Sequence, residues 1–184
     1  MRTRTGPSLI LPLLWIAWLA FPSVSLADID ACVKIEGSNQ GGINDGPACG
    51  NGEDGIEIFG FGHNIVIPTD PQSGQPSGQR VHQPVRILKA VTKSSPLLNN
   101  ALVTGERLTR VEIRFYRTNG SGQREHYYTI LLEDATLINI TTSASNSEGT
   151  VMQELLSMTY RKITWTNEVE GTSASDDWRS AVTS

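Results

Sequence analysis

A segment of two-residue alternation, residues 107–116 (RLTRVEIRFY), restricts the fold more than any other feature of the chain. Over most of its length charged and apolar side chains alternate, which places them on opposite faces of a β-strand. The dipeptide Asn119-Gly120 follows and is typical of a hairpin turn. Residues 125–133 can form the partner strand. These features predict an antiparallel hairpin with one face on a hydrophobic core.

The rest of the chain also favours β-structure. Further strands are predicted at residues 31–36, 55–67, 81–91, 135–142, 150–160 and 162–169. Gly60 and Gly62 permit a bulge or bend in the second of these regions. Asp134 is expected to break the run between residues 125–133 and the strand that follows. Loops rich in glycine and polar residues separate the strands, as an antiparallel fold requires.

A short helix is predicted within residues 89–102 (KAVTKSSPLLNNAL). Ser94 or Ser95 is suited to the N-cap, and Pro96 to the first helical position, where its missing N–H costs nothing. The apolar residues of 97–102 form a stripe along one side. So short a helix must rest on another element. The predicted architecture is therefore mainly β: an antiparallel β-barrel of two packed sheets with one short flanking α-helix.

Residues 1–27 have the character of an export signal. Arg2 and Arg4 precede an apolar run in residues 9–21, which is short for a membrane span. Residues 25–27 (SLA) offer the small-x-small pattern that signal peptidase recognises, with cleavage after the alanine. We therefore expect the leader to be removed during export.

Two alternatives to a cleaved leader stay open at this point. The first is an uncleaved N-terminal anchor. The second is a misassigned start, with translation beginning at a later, non-methionine codon, which would leave the protein in the cytoplasm. The predicted organisation is a leader at residues 1–27, a β-barrel domain at residues 28–170 and a C-terminal tail at residues 171–184. The tail is polar apart from Trp178 and is expected to be loosely held.

Cys32 and Cys49 are the two cysteines of the chain, the first in a predicted strand and the second in the long loop of residues 37–54. In an exported protein they are expected to form one disulfide. Closing a loop of this size stabilises a fold by about 3 kcal/mol in the chain-entropy model. The alternative is two free thiols in a reducing compartment. A zinc site is not expected, because there is no second cysteine pair and no adjacent histidine.

Charge and motifs argue against several classes of function. The net charge is −4, and it becomes −6 when Arg2 and Arg4 leave with the leader. An acidic chain without a basic run is not suited to nucleic acid. His63, His82 and His126 are widely separated in the sequence, and we find no nucleophile, phosphate-binding or HExxH motif. No catalytic, cofactor-binding or metal-binding residues are predicted, and the protein is not expected to be an enzyme.

Five segments occur in a distinctive order along the chain. They are residues 32–41 (CVKIEGSNQG), 89–102 (KAVTKSSPLLNNAL), 115–119 (FYRTN), 163–166 (ITWT) and 171–178 (GTSASDDW). Together they resemble the Hcp family, the tube proteins of the bacterial type VI secretion system. The resemblance covers roughly residues 31–178. It rests on the combined order, since no one segment is specific enough alone.

The resemblance implies a β-barrel with a helix on its flank, six copies of which close into a ring. Rings would stack into a hollow tube that holds effector proteins, is propelled by a contractile sheath and is capped by a spike protein of the VgrG type. Ring closure needs a heterologous interface between two different faces of the subunit. Loops 37–54 and 69–78 are candidates for ring stacking, with a solvated connector as the alternative for each. The charged rows of residues 107–116 and 125–133 are expected at the lumen or at a ring edge.

The leader and the cysteine pair depart from the family, whose ordinary members are made in the cytoplasm without a cleavable leader. The predicted function is a structural tube subunit that is secreted, in the periplasm or outside the cell, with no membrane attachment after leader removal. The alternative is an exported, non-polymerising β-barrel that binds a small protein or ligand. An enzyme ranks last, because the chain after residue 169 is too short for a toxin domain.

Overall fold

The structure is a computed structural model and describes residues 29–50, 52–144 and 151–178. The elements in these residues are β1 Asp30–Gly37, β2 Gly41–Ile43, β3 Ile56–Ile58, β4 Gly60–Gly62, β5 Ile65–Val66, β6 Val81–His82, β7 Val85–Ala90, α1 Ser95–Thr104, β8 Arg107–Thr118, β9 Arg124–Ser143, β10 Gln153–Thr159, β11 Lys162–Asn167 and β12 Thr172–Asp177. Within these ranges, no helix has the length and the hydropathy that crossing a membrane requires. The leader predicted at residues 1–27 lies outside the described part.

Ten of the described strands form one antiparallel sheet. The hydrogen-bonded order is β2-β1-β8-β9-β10-β7-β4, with β3 paired to β1 and with β11 placed between β9 and β12. Phe59 separates β3 from β4, so this short stretch of chain pairs with β1 before it and with β7 after it. The sheet therefore curls around a core, because its two ends meet in one continuous segment.

Strand β9 passes through both layers of the fold. Its first half pairs with β11 and its second half with β10, and both partners lie on the side opposite β8. Asp134 lies between the two halves and has a left-handed backbone, with φ at 53°. Across from it, Arg161 donates its backbone N–H to the carbonyl of Glu133 at 3.1 Å. The expected break at Asp134 is thus a bend within one strand, because a left-handed residue redirects the chain while pairing continues on both sides.

The predicted fold class is confirmed: the described chain is mainly antiparallel β-structure with one short flanking helix. The two packed layers are joined into one hydrogen-bonded sheet, because β9 belongs to both. The prediction of a loosely held tail is wrong for Thr172–Asp177, which pairs along the whole of β11. The polar sequence of this segment did not indicate a strand. Its carboxylates form ion pairs with Arg80 and Arg161, which come from other parts of the chain.

The core lies between the two layers and agrees with the sequence pattern. Val111 and Ile113 of β8 are fully buried, as the alternation of residues 107–116 predicts. They pack with aliphatic residues of β1, β3, β7, β9, β10 and β11 in one cluster. Helix α1 lies against β9 and contributes Leu98 and Ala101 to this cluster. It ends at Gly105, whose left-handed φ of 64° is the conformation that glycine adopts most readily.

A buried ion pair connects the start of the helix to the sheet. The ammonium of Lys89 lies 2.6 Å from a carboxylate oxygen of Glu154, and both side chains are almost completely buried. The Ser95 hydroxyl donates to the same oxygen at 2.7 Å. Lys89 also donates to the Ala90 carbonyl and to the Thr92 hydroxyl. The pair is therefore surrounded by hydrogen-bonding partners, which buried charges require.

Candidate functional site

An extended hairpin, residues 64–83, projects between β4 and β7. Its two arms are β5 and β6, which pair with each other and not with the main sheet. Farther out, Thr69 forms an isolated antiparallel bridge with Pro76. Asp70 orders the outer turn, because its carboxylate accepts hydrogen bonds from the backbone N–H groups of Gln72 and Ser73. The loop predicted at residues 69–78 is therefore the outer end of an ordered hairpin.

The hairpin exposes large aliphatic side chains. Ile65, Val66, Ile67 and Val81 are all exposed, and Ile67 retains 55% of its accessible surface. Exposed aliphatic residues scattered singly are normal, whereas several grouped on one projecting element are typical of an interaction site. The surface of the hairpin is thus suited to contact another protein.

Five polar side chains from separate segments meet where the hairpin joins the body. We call them the base cluster: His63, Arg80, His82, Tyr160 and Asp176. Arg80 donates from two of its nitrogens to the Asp176 carboxylate. His82 Nε2 lies 2.7 Å from Asp176 Oδ2, and His82 Nδ1 lies 2.7 Å from the Tyr160 hydroxyl. His63 Nε2 lies 2.6 Å from the same hydroxyl, which completes a continuous chain of hydrogen bonds.

The surroundings of the base cluster shift the pKa values of His63, Tyr160 and Asp176. Burial lowers the pKa of His63 below its ordinary value, and repulsion from His82 lowers it further. The hydrogen bond from Arg80 lowers the pKa of Asp176, which stays a carboxylate. Burial raises the pKa of the Tyr160 hydroxyl, and the nearby charge of Asp176 adds to that effect. The cluster is therefore arranged around a neutral phenol and an ionised carboxylate.

Sequence reasoning missed this cluster, because it treated His63 and His82 as separate residues without partners. Folding places both against Tyr160, while His126 lies elsewhere and is hydrogen-bonded to Thr129. No local pattern could have indicated that these side chains meet, since they come from the residue before the hairpin, from its returning arm, from the β10–β11 turn and from β12. In the described part of the chain, no group of three or more His, Cys, Asp or Glu side chains is placed to hold a metal ion.

A charged row lies on the outward face of β8. The Glu112 carboxylate accepts from Arg110 at 2.6 Å and from Arg114 at 2.6 Å, and Arg114 also reaches Glu53 at 3.0 Å. Burial acts to raise the pKa of Glu112, but the hydrogen bonds from the two arginines hold it below its ordinary value. Glu112 therefore stays ionised between the two arginines, in the row of charged side chains that the alternation of residues 107–116 predicts.

The loop that carries Cys49 is fastened to the body. Cys32 and Cys49 form a disulfide in the structure, with Cα atoms 5.5 Å apart, an ordinary spacing for such a bond. Asp45 adds a second attachment, because its carboxylate accepts from the Ser94 N–H at 2.9 Å and from the Thr92 hydroxyl at 2.7 Å. The loop predicted at residues 37–54 therefore lies against β1 and the helix start, unlike the projecting hairpin.

Comparison with known proteins places these features in a family. Residues 33–167 match the family described as "Type VI secretion system effector, Hcp". The chain is 50% identical over 167 residues to the "Major exported protein" of Pseudomonas aeruginosa, a match that covers 83% of this chain and 96% of that protein. A crystal structure of an Hcp protein has a TM-score of 0.77 and 44% identity, covering 80% of this chain and 98% of that one. The secreted protein Hcp3 from Pseudomonas aeruginosa has a TM-score of 0.69 and 45% identity, covering 84% and 100%.

A curled antiparallel sheet with a projecting apolar hairpin defines a structural protein that works through contacts with other proteins. The chain belongs to the Hcp family of the type VI secretion system. It is a structural tube subunit, it is a secreted protein, and it associates with copies of itself. The predicted family and the main predicted function are confirmed. The alternative of a non-polymerising binding module is not favoured.

Proposed function

We propose that six copies of this subunit close into a ring and that rings stack into a hollow tube through the extended hairpin. The observation that carries the proposal is the group of exposed aliphatic residues on that hairpin, Ile65, Val66, Ile67 and Val81. Burying them against a neighbouring ring would remove apolar surface from water. The loop of residues 37–54 is the weaker candidate, because Cys49 and Asp45 fasten it to its own subunit.

The remaining surfaces suit the other contacts of a tube subunit. Ring closure joins two different faces of the subunit, and the charged row on β8 is proposed for the lumen or for a ring edge. We further propose a spike protein of the VgrG type at the tip, a sheath around the tube and effector proteins in the lumen. Nucleic acid is not among the proposed partners, since the chain is acidic. Catalysis is no part of the proposed role.

The proposed route is export with removal of residues 1–27, followed by assembly of the β-domain of residues 28–170 together with β12, which pairs with β11. The disulfide between Cys32 and Cys49 belongs to this route, because an oxidising compartment allows it to form and persist. N-terminal sequencing of the secreted protein is expected to begin at Asp28. Unreduced material is expected to be two hydrogens lighter than reduced material by mass spectrometry. An unprocessed N-terminus or an unchanged mass would contradict the corresponding step.

Electron microscopy of the purified domain tests the assembly. The unaltered domain is expected to form rings and stacks of rings. Ile67→Ser places a hydroxyl on the hairpin and is expected to leave rings intact while removing most stacks. Val103→Ser is the matched control, because Val103 is 79% exposed but lies on helix α1, away from the hairpin. A strict monomer at all concentrations, or stacks that survive Ile67→Ser together with Val81→Ser, would overturn the proposal.

A further inference from the structure

The base cluster holds the hairpin to the body of the subunit. The hairpin contributes Arg80 and His82 on its returning arm, and His63 precedes its outgoing arm. Their partners Tyr160 and Asp176 belong to the β10–β11 turn and to β12. The arms β5 and β6 pair with each other and not with the main sheet. The direction in which the hairpin projects therefore depends on these side-chain contacts.

The hydrogen bonds of the base cluster limit how many protons it can accept. Asp176 is an acceptor, so His82 Nε2 carries a hydrogen, and a neutral His82 offers Nδ1 as an acceptor to the Tyr160 hydroxyl. The Tyr160 oxygen then accepts from His63 Nε2. One added proton can be accommodated, because the hydroxyl can turn and donate to a neutral His63 instead. With both histidines protonated, two N–H donors face the Tyr160 oxygen and its hydrogen has no acceptor between them.

The charges around the two histidines make the second proton unfavourable. Arg80 lies beside His82 on the shared carboxylate, and Arg86 lines the same recess as His63. On the acidic side are Asp176, which both Arg80 and His82 already contact, and Asp177. The Asp177 carboxylate in turn is paired with Arg161. The acidic groups are thus already matched by arginines, so a second imidazolium would add an unmatched positive charge.

We propose that the base cluster is a pH-sensitive clamp, whose members are positioning residues that aim the hairpin for ring stacking and release it when both histidines are protonated. This inference rests on the proposed stacking role of the hairpin. The lowered pKa of His63 supports the direction of the effect. The clamped state binds fewer protons than the released state, so clamping strengthens as pH rises through the ordinary histidine value of about 6.5 and weakens below it.

Counting rings per stack at about pH 7.5 and at about pH 5 tests the clamp. Stack length is expected to fall severalfold at the lower pH, because protonation of both histidines releases the hairpin from the position in which it stacks. In His63→Gln the amide can either donate to or accept from Tyr160, so the loss is expected to shrink to less than about threefold. His126→Gln is the matched control and is expected to keep the full response. A full response in His63→Gln, or a response abolished by His126→Gln, would overturn the inference.

A second measurement separates failure of the clamp from failure of the stacking role. The imidazole resonances of the three histidines are followed by NMR in the Ile67→Ser variant, with each assigned by its glutamine substitution. The clamp predicts that the His63 and His82 titrations are coupled and that Tyr160→Phe weakens the coupling to the repulsion between the two rings, while His126 is unchanged. If the His63 and His82 titrations are coupled but Ile67→Ser does not reduce stacking, only the proposed stacking role of the hairpin is refuted. Independent titration of His63 and His82 would refute the clamp whatever the stacks do.

Discussion

Lys89 and Glu154 are the residues whose charges lie deepest in the described structure, and each depends on the other. Lys89→Met would leave the Glu154 carboxylate buried without its cation, at a cost of about 3–5 kcal/mol in the free energy of unfolding. The double variant Lys89→Met/Glu154→Leu removes both charges and is expected to recover most of that loss. Urea unfolding followed by tryptophan fluorescence at a fixed protein concentration gives the comparison.

A surface pair provides the control for this measurement. Arg117 and Glu125 form an ion pair in which the arginine is more than half exposed. Arg117→Met is therefore expected to change stability by less than about 1 kcal/mol. If Lys89→Met costs no more than Arg117→Met, the buried pair does not stabilise the junction of helix and sheet.

The course of strand β9 depends on the bend at Asp134, where the backbone is left-handed. Left-handed backbone costs an ordinary residue about 1–2 kcal/mol, and a β-branched residue more, whereas asparagine tolerates it. Asp134 also pairs with Arg161 at 2.9 Å, a contact that Asn and Val both weaken. We therefore expect Asp134→Val to be less stable than Asp134→Asn by about 1–2 kcal/mol in thermal or urea unfolding. Equal stability of the two variants would mean that the bend does not constrain the residue.

The elements that the sequence predicted well are those whose signal is local. The alternation in residues 107–116 and the Ser-Ser-Pro start of the helix both describe structure within a few residues, and both were found where expected. The base cluster and β12 could not be predicted in this way. Neither Tyr160 nor Asp176 lies in a local pattern that indicates a structural role, and their roles follow from contacts with residues about eighty or more positions away. The bend at Asp134 lies between these cases, since its position was visible but its conformation was not.

The disulfide acts on the whole molecule, because it restricts the unfolded chain as well as the folded one. The two cysteines are 17 positions apart, so their bond is expected to contribute about 3 kcal/mol to the free energy of unfolding. Unfolding of the purified domain with and without a thiol reductant measures this contribution. The double variant Cys32→Ser/Cys49→Ser should be insensitive to the reductant. Equal stability of the oxidised and reduced domain would contradict the prediction.

The passage of β9 through both layers also governs how the subunit responds to stress. Its first half is hydrogen-bonded to β8 and β11 and its second half to β10, so the two layers cannot separate without breaking the pairing of β9 with one of these sets of partners. Two leaves joined by a loop would hinge and lose their structure in separate stages. A subunit in which one strand belongs to both layers is instead expected to unfold in a single cooperative step.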